Sequence, residues 1–338
     1  MTTIKDIARI SGYSIGTVSR VLNHHPDVSR NTREVIEAII AEQDFHPNSN
    51  AKMLKQQVDS SIAIIVRGYG NIFFGVILER VQMHLHQANE NATVVFVDEN
   101  ADEVQTAVQL SVTHKPKGFI FLGGNIRFFR DQYARIPVPG VLLTNDATSI
   151  SSGSLSSFMT DDVVASARAI SYLLEHGHRR ISIVGGCSDD RNSQVGARRL
   201  KGCRQALEAS GLSFNEKRDY EPCSFSMEDG YRATLAVLKR NPGCTAIFAL
   251  SDTIALGTMR AIRDLGLRCP DDISIIGFDG IDVNKYTAPR LATIHQNTDL
   301  LARKGVEDLL LRLRYKRAAV NEVIPFTLWE GESVKALS

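Results

Sequence analysis

A chain of 338 residues is longer than one compact core usually fills, and its length implies two or three domains. Hydrophobic residues at 43% beside 23% charged ones exclude a disordered or collagen-like chain, and no apolar run approaches the roughly 18 residues of a membrane span. The net charge of +1 argues neither for nor against nucleic acid, so any such partner must be read from where charges sit. From the N-terminus, Thr3 and Asp6 are spaced as a capping box, opening a short helix that carries Ile4, Ile7 and Ala8 on one side. Ser11-Gly12-Tyr13 interrupts it, and Ser14 is placed to cap a second helix over Ile15–Leu22. At 100° per residue, Thr17, Val18, Val21 and Leu22 fall inward, while Ile15, Gly16, Ser19 and Arg20 fall outward. An outward face led by isoleucine and glycine is unusual for a helix in water, because glycine costs about 1 kcal/mol of helix stability. Such a face implies a docked partner. A third helix from about Arg30 to Gln43 carries Ile36, Ile39 and Ile40, and Phe45-His46-Pro47 closes it, completing an all-α helix-turn-helix head.

TIKDIARISGYSIGTVSRVLN, VSRNTREVIEAI and FHPNSNAKMLK resemble the head of the lactose/galactose repressor family without a gap. The resemblance implies that the second helix enters a major groove of double-stranded operator DNA, with Ile15, Gly16 and Arg20 meeting base edges. Arg20 can place a bidentate fork on guanine, and Ile15 can meet a thymine methyl. It also implies that Thr3, Ser14, Thr17, Ser19, Ser29 and Thr32 hold phosphates. Caps and turn residues are the alternative role of these hydroxyls. Residues 47–58 are too short for an independent helix. By resemblance they form a hinge helix in the minor groove, where Leu54 wedges a base step beside Asn48 and Ala51; a plain linker with a buried leucine is the alternative.

Beyond Ser60 the runs Ile62–Val66, Thr93–Val97, Gly118–Leu122, Val141–Leu143, Ile181–Val184, Ala246–Leu250 and Ile273–Gly277 alternate with helical stretches. That alternation predicts parallel sheets in an α/β architecture. The Ser/Gly-rich stretch 149–157 divides the runs into two lobes, with Leu291–Gln296 and Val323–Leu328 crossing back. The expected division is a head over 1–46, a hinge over 47–58 and a core over 59–338. Within the core, one lobe covers about 59–160 plus 295–323, and the other about 161–293 plus 324–338.

NIFF at 71–74, EHGHRRISIVGG at 175–186, ARRLKGC at 197–203, ALSDTIALG at 249–257 and DISIIGFDG followed by PRLATIHQ resemble the same family's core. That core is similar to periplasmic sugar-binding proteins. The resemblance implies effector contacts from Asn71, Phe73, Phe74, Arg199, Ser251, Asp279 and Gln296. An aromatic face suits a sugar ring, and Arg and Asp suit its hydroxyls. Phe73 and Phe74 as core residues, Asp279 as a cap and Arg199 as a surface ion-pair residue are the alternatives. Two positions depart from the family pattern: Ser251 stands where asparagine is common, and Thr144-Asn145-Asp146 where many members carry an aspartate.

Other classes fit less well. Gly68-x-Gly70 lacks the third glycine of a dinucleotide fingerprint, since position 73 is Phe, and no phosphate loop or nucleophile elbow appears. No enzymatic activity and no cofactor are therefore expected. His176 and His178 flank a helix-capping Gly177, which points to a structural rather than a metal role. Cys187, Cys203, Cys223, Cys244 and Cys269 are odd in number and widely spaced, as reduced side chains would be. A secreted binding protein would need a basic and apolar leader that Met1–Asp6 does not begin, so a cytoplasmic location is expected. The expectation is a cytoplasmic, homodimeric repressor on a pseudopalindromic operator, controlled by a sugar or sugar derivative. A regulator needing a purine or phosphorylated co-repressor is the alternative. The C-terminus lacks a leucine heptad tail, which favours dimer over tetramer.

Overall fold

A computed structural model describes residues 4–22, 27–43, 61–150, 153–186 and 195–337, which fall in two compact units, Met1–Asp59 and Ser60–Ser338. In the first unit, α1 (Ile4–Ser11), α2 (Ile15–Leu22) and α3 (Arg30–Glu42) close around Ile7, Val18, Val21 and Ile36. Gly12 takes φ +70° between α1 and α2, a backbone that only glycine adopts without strain, and this permits the tight turn. Ser14 caps α2 by accepting the Thr17 N–H at 3.1 Å. Ser29 does the same for α3, with Thr32 N–H at 3.2 Å.

The second unit holds two six-stranded sheets. The first contains β1 (Ile62–Arg67), β2 (Ala92–Val97), β3 (Gly118–Leu122), β4 (Gly140–Leu143), β5 (Leu155–Met159) and, from much later in the chain, β11 (Asn321–Val323). Its order is β11-β5-β4-β3-β1-β2, parallel throughout. The second contains β6 (Ile181–Val184), β7 (Tyr220–Glu221), β8 (Ala246–Ala249), β9 (Ser274–Asp279), β10 (Ala292–Gln296) and β12 (Phe326–Trp329). Its order is β12-β10-β9-β8-β6-β7, with only β12 antiparallel to its neighbour. Helices cover both faces of each sheet, which is why the central strands read as unbroken apolar runs.

Helices α4 (Ile72–Gln87), α5 (Glu103–Thr113) and α6 (Ile126–Gln132) pack on the first sheet. The second carries α7 (Asp162–Glu175), α8 (Val195–Ala209), the short α9 (Glu216–Asp219), α10 (Met227–Arg240) and α11 (Asp252–Asp264). Helix α12 (Thr298–Tyr315) follows a second-sheet strand yet packs on α4, β4 and β5. The chain thus passes between the lobes three times: after Thr160, at Asn297, and between Val323 and Phe326.

Two boundaries differ from the sequence reading. The stretch 149–157 is not simply a divider, because Leu155–Met159 is a fully buried strand of the first sheet. Its serines are tolerated there because distant groups satisfy them. Ser156 Oγ receives the Arg312 guanidinium at 3.0 Å and the Val320 N–H at 3.0 Å, and the Ser157 hydroxyl donates to Asn321 at 2.6 Å. Strand β10 lies wholly in the second sheet, so the second crossing follows Gln296 instead of falling near 293–295.

Candidate functional site

In the head, the outward face of α2 is open. Ile15 is 46% exposed, Gly16 and Arg20 are exposed, and Ser19 is half-buried, whereas Val18 and Val21 are buried. The Ser14 and Thr17 hydroxyls lie 2.9 Å apart and those of Ser29 and Thr32 lie 2.8 Å apart, so the two caps also present paired hydroxyls at the N-termini of α2 and α3. A helix N-terminus with exposed hydroxyls and amides is suited to an anionic phosphate. Thr3, Asn48, Ala51 and Leu54 lie outside the described residues.

In the body, a cleft of about 720 Å³ opens beyond the carboxyl ends of the strands, with loops from both lobes around it. Of the residues expected there, Asn71, Phe73, Phe74, Arg199 and Asp279 line it. Asn71 also caps α4 by accepting the Phe74 N–H at 3.3 Å. Phe73 is largely a core residue, 4% exposed, while Phe74 is half-buried and lies over Gly123.

Ser251 and Gln296 do not line the cleft. Ser251 is buried as the cap of α11, accepting the Ile254 N–H at 3.1 Å. Gln296 stands behind the site and donates to Asp279 Oδ1 at 2.9 Å. Among the three neighbours at 144–146, Thr144 faces the cleft, Asn145 is buried and donates to the Gly124 carbonyl at 2.8 Å, and Asp146 pairs with Arg198 at 3.1 Å.

The floor of the cleft is a buried charge network. Arg199 lies 3.6 Å over the Phe278 ring, donates from Nε to Asp162 at 2.9 Å and from Nη1 to the Leu250 carbonyl at 2.5 Å, and sits 3.5 Å from Asp279 Oδ1. Asp252 accepts the Gly280 and Ile281 N–H groups at 2.6 and 2.9 Å and the Thr293 hydroxyl at 2.6 Å. Those bonds clamp the loop that follows Asp279 and help hold its backbone at φ +122°. Thr144 also has a left-handed backbone, φ +73°, anchored by its N–H on the Phe158 carbonyl at 2.9 Å. Strain of this kind at two non-glycine residues of one cleft marks a site whose geometry the surrounding fold imposes.

Burial raises the carboxyls of Asp162, Asp252 and Asp279 above their ordinary range, with Arg199 opposing it at Asp162 and Asp279 and hydrogen bonds opposing it at Asp252. Two of these acids, Asp162 and Asp279, meet the one buried guanidinium of Arg199, so the floor offers hydrogen-bond donors and acceptors held in place and is suited to a ligand rich in hydroxyl groups.

Cleft residues that the sequence reading missed are Arg67, Tyr69, Glu99, Phe225 and Thr253. The rule placing ligands at strand ends points to Arg67 and Tyr69, which directly follow the β1 core. Phe225 was hidden because the strand that precedes it, β7, has two residues and no apolar run. Outside the cleft, His178 is buried, with Nδ1 3.1 Å from the Thr245 hydroxyl and Nε2 3.1 Å from the Lys335 carbonyl. Burial lowers its pKa. The described cysteines are free thiols; Cys187 lies outside the described residues.

A helix-turn-helix head and a two-lobed body with an interlobe cleft, joined in one chain, define a DNA-binding regulator with a ligand-sensing body. Residues 3–48 match the bacterial regulatory proteins of the lacI family, and residues 170–334 match a periplasmic binding protein-like domain. The chain is 35% identical to the HTH-type transcriptional regulator MalR of Clostridium butyricum, over 90% of each chain. It is 31% identical to the ribose operon repressor of Haemophilus influenzae, over 93% of this chain and 92% of the relative. A solved lac repressor dimer bound to operator and the anti-inducer ONPF aligns with a TM-score of 0.72 at 26% identity, covering 99% of both chains. A CelR–cellobiose complex aligns at 0.71 and 25%, covering 98% of this chain and all of the other. The chain belongs to the lacI family of bacterial transcription regulators.

Proposed function

We propose that this regulator is a homodimeric repressor that grips a pseudopalindromic operator through the outward face of α2 and changes its grip when a neutral carbohydrate enters the interlobe cleft. One observation carries the reading: a cleft floored by the buried Arg199–Asp279 pair lies in a chain whose head exposes Ile15, Gly16 and Arg20 together. Two reading helices related by a dimer axis would enter successive major grooves. Ligand that favours one arrangement of the lobes would then shift DNA affinity, and DNA would shift ligand affinity by the same factor. Within this reading Asn71, Phe74, Arg199 and Asp279 contact the effector, while Ser251 and Gln296 support them. Leu54, with Asn48 and Ala51, acts at the minor groove, and Thr3, Ser14, Thr17, Ser19, Ser29 and Thr32 hold phosphates. The protein works in the cytoplasm, carries out no catalysis and needs no cofactor or metal. Among the described residues no helix is long and apolar enough to cross a membrane.

An unbiased duplex selection with the full chain tests the DNA-binding half of this reading. It should enrich a palindromic site, and Arg20→Ala should cut discrimination between that site and random DNA by about 1–3 kcal/mol. Unchanged discrimination in a folded variant would remove Arg20 from the reading face. Adding mono- and oligosaccharides should alter occupancy of the selected site; response to hypoxanthine or a sugar phosphate alone would replace the carbohydrate reading with a co-repressor one.

A further inference from the structure

The cleft is longer than one sugar ring needs. On the first-lobe side it is lined by residues following β4 (Thr144), β3 (Gly123), β1 (Tyr69) and β2 (Glu99), four strands that are neighbours in that order. On the second-lobe side it is lined by Asp279 at the end of β9 and by residues following β8 (Thr253), β6 (Gly186) and β7 (Phe225), again four successive neighbours. Three interstrand steps of about 4.8 Å give each wall a length of about 14 Å. The volume of about 720 Å³ agrees, lying well above the lower end of small-molecule sites.

The walls also differ in chemistry along their length. Arg199 and Asp279 meet at the β9 end, where the hydrogen-bonding groups are buried and paired. The first-lobe wall ends with Arg67 at the end of β1, Tyr69 just after it, and Glu99 after the edge strand β2. Arg67 Nε donates to the Glu99 carbonyl at 2.7 Å, which ties the loops after β1 and β2 together. Tyr69 lines the cleft yet is 72% exposed. Its ring stacks with Phe96 at 6.4 Å between centroids and 25° between planes, so the ring is steadied and most of it stays open. A large aromatic held open at the edge of a cleft is suited to stack on the apolar face of a pyranose.

We propose that the cleft has two subsites and that its effector is an oligosaccharide of at least two linked neutral sugar rings. One ring is held by Arg199 and Asp279, and the next is stacked on Tyr69 near Arg67 and Glu99. This rests on the carbohydrate reading above and adds the size of the ligand and the residue that selects for it.

Calorimetric titration of the full chain with glucose, galactose, maltose, cellobiose, maltotriose, glucose 6-phosphate and hypoxanthine tests it. A di- or trisaccharide should bind at least about tenfold tighter than its component monosaccharides, and Tyr69→Ala should cut that ratio to about threefold or less, the scale of one lost stacking contact. Tyr69→Phe should keep the ratio, because the ring remains. The two-subsite inference alone is overturned by a monosaccharide that binds as tightly as any oligosaccharide, or by an unchanged ratio in Tyr69→Ala. Binding of only hypoxanthine or glucose 6-phosphate overturns the carbohydrate reading itself, and this inference with it.

Discussion

Asp279 concentrates the residue-scale argument. It is nearly buried, its backbone is left-handed, and Arg199, Asp252, Asp162 and Gln296 surround its carboxyl. Burial favours the neutral acid over the carboxylate, and the attraction of Arg199 is divided between Asp279 and Asp162. A carboxyl whose folded pKa lies above its unfolded one binds more protons in the folded state. Its stabilisation is complete below the ordinary carboxylate range and fades as pH rises through the folded value. Comparing Asp279→Asn with the parent chain isolates this group from His178 and His295, whose pKa values burial lowers. The melting temperature of Asp279→Asn relative to the parent should therefore rise steadily from pH 5 to pH 8. A difference that is flat or falls over that range would show that Asp279 ionises in the folded protein at least as readily as in the unfolded chain.

At the scale of elements, α10 and α11 are held together by reciprocal glycines. A methyl on Gly257 of α11 would overlap the carbonyl oxygen of Met227, and one on Gly230 of α10 would overlap the carbonyl of Ile254. Neither obstacle is a side chain that can rotate away, so the helices must separate. Alanine would gain about 1 kcal/mol of helix propensity over glycine, but forced overlap in a packed core costs about 1–3 kcal/mol or more. Overlap wins, because the obstacle is backbone. Gly257→Ala should lower the calorimetric melting temperature of the body, and an unchanged or raised value would mean that this helix pair has slack. The head shows the opposite regime: Gly12, Ser14 and Ser29 act on their own turns and caps, within three residues of themselves. That is why the boundaries of α1, α2 and α3 could be read directly.

For the whole molecule, the question is how cleft occupancy reaches the lobes. Asp146 belongs to the first lobe and Arg198 to the second, and their ion pair at 3.1 Å continues through Asp162 to Arg199 and Asp279. The chain crosses between lobes just before Asp162, a member of this series, and just after Gln296, which donates to another, Asp279. A ligand drawing on Arg199 and Asp279 therefore acts on the same charges that tie one lobe to the other. Asp146→Ala and Arg198→Ala should each weaken effector binding, and the double variant should lose less than the sum. The coupling should be about 0.5–1 kcal/mol, since the pair is about one-fifth exposed and partly screened. Strict additivity would make the pair a bystander to closure.

What the sequence by itself determined is the part governed by local periodicity and by burial on both faces: three helices in the head and apolar strands alternating with helices in the body. Arg199 and Asp279 were also legible, through motifs that resemble the family's. Only the tertiary structure decided that Ser156 and Ser157 belong to a buried strand, because the groups that satisfy them, from Arg312, Val320 and Asn321, lie more than 150 residues away in the chain. It also decided that Ser251 caps a helix, that Gln296 stands behind Asp279, and that Tyr69, Phe225 and Thr253 share one wall or the other of a long cleft. A strand's periodicity is written along the chain, whereas a buried polar group is satisfied, and a cleft is lined, by whatever the fold brings beside it.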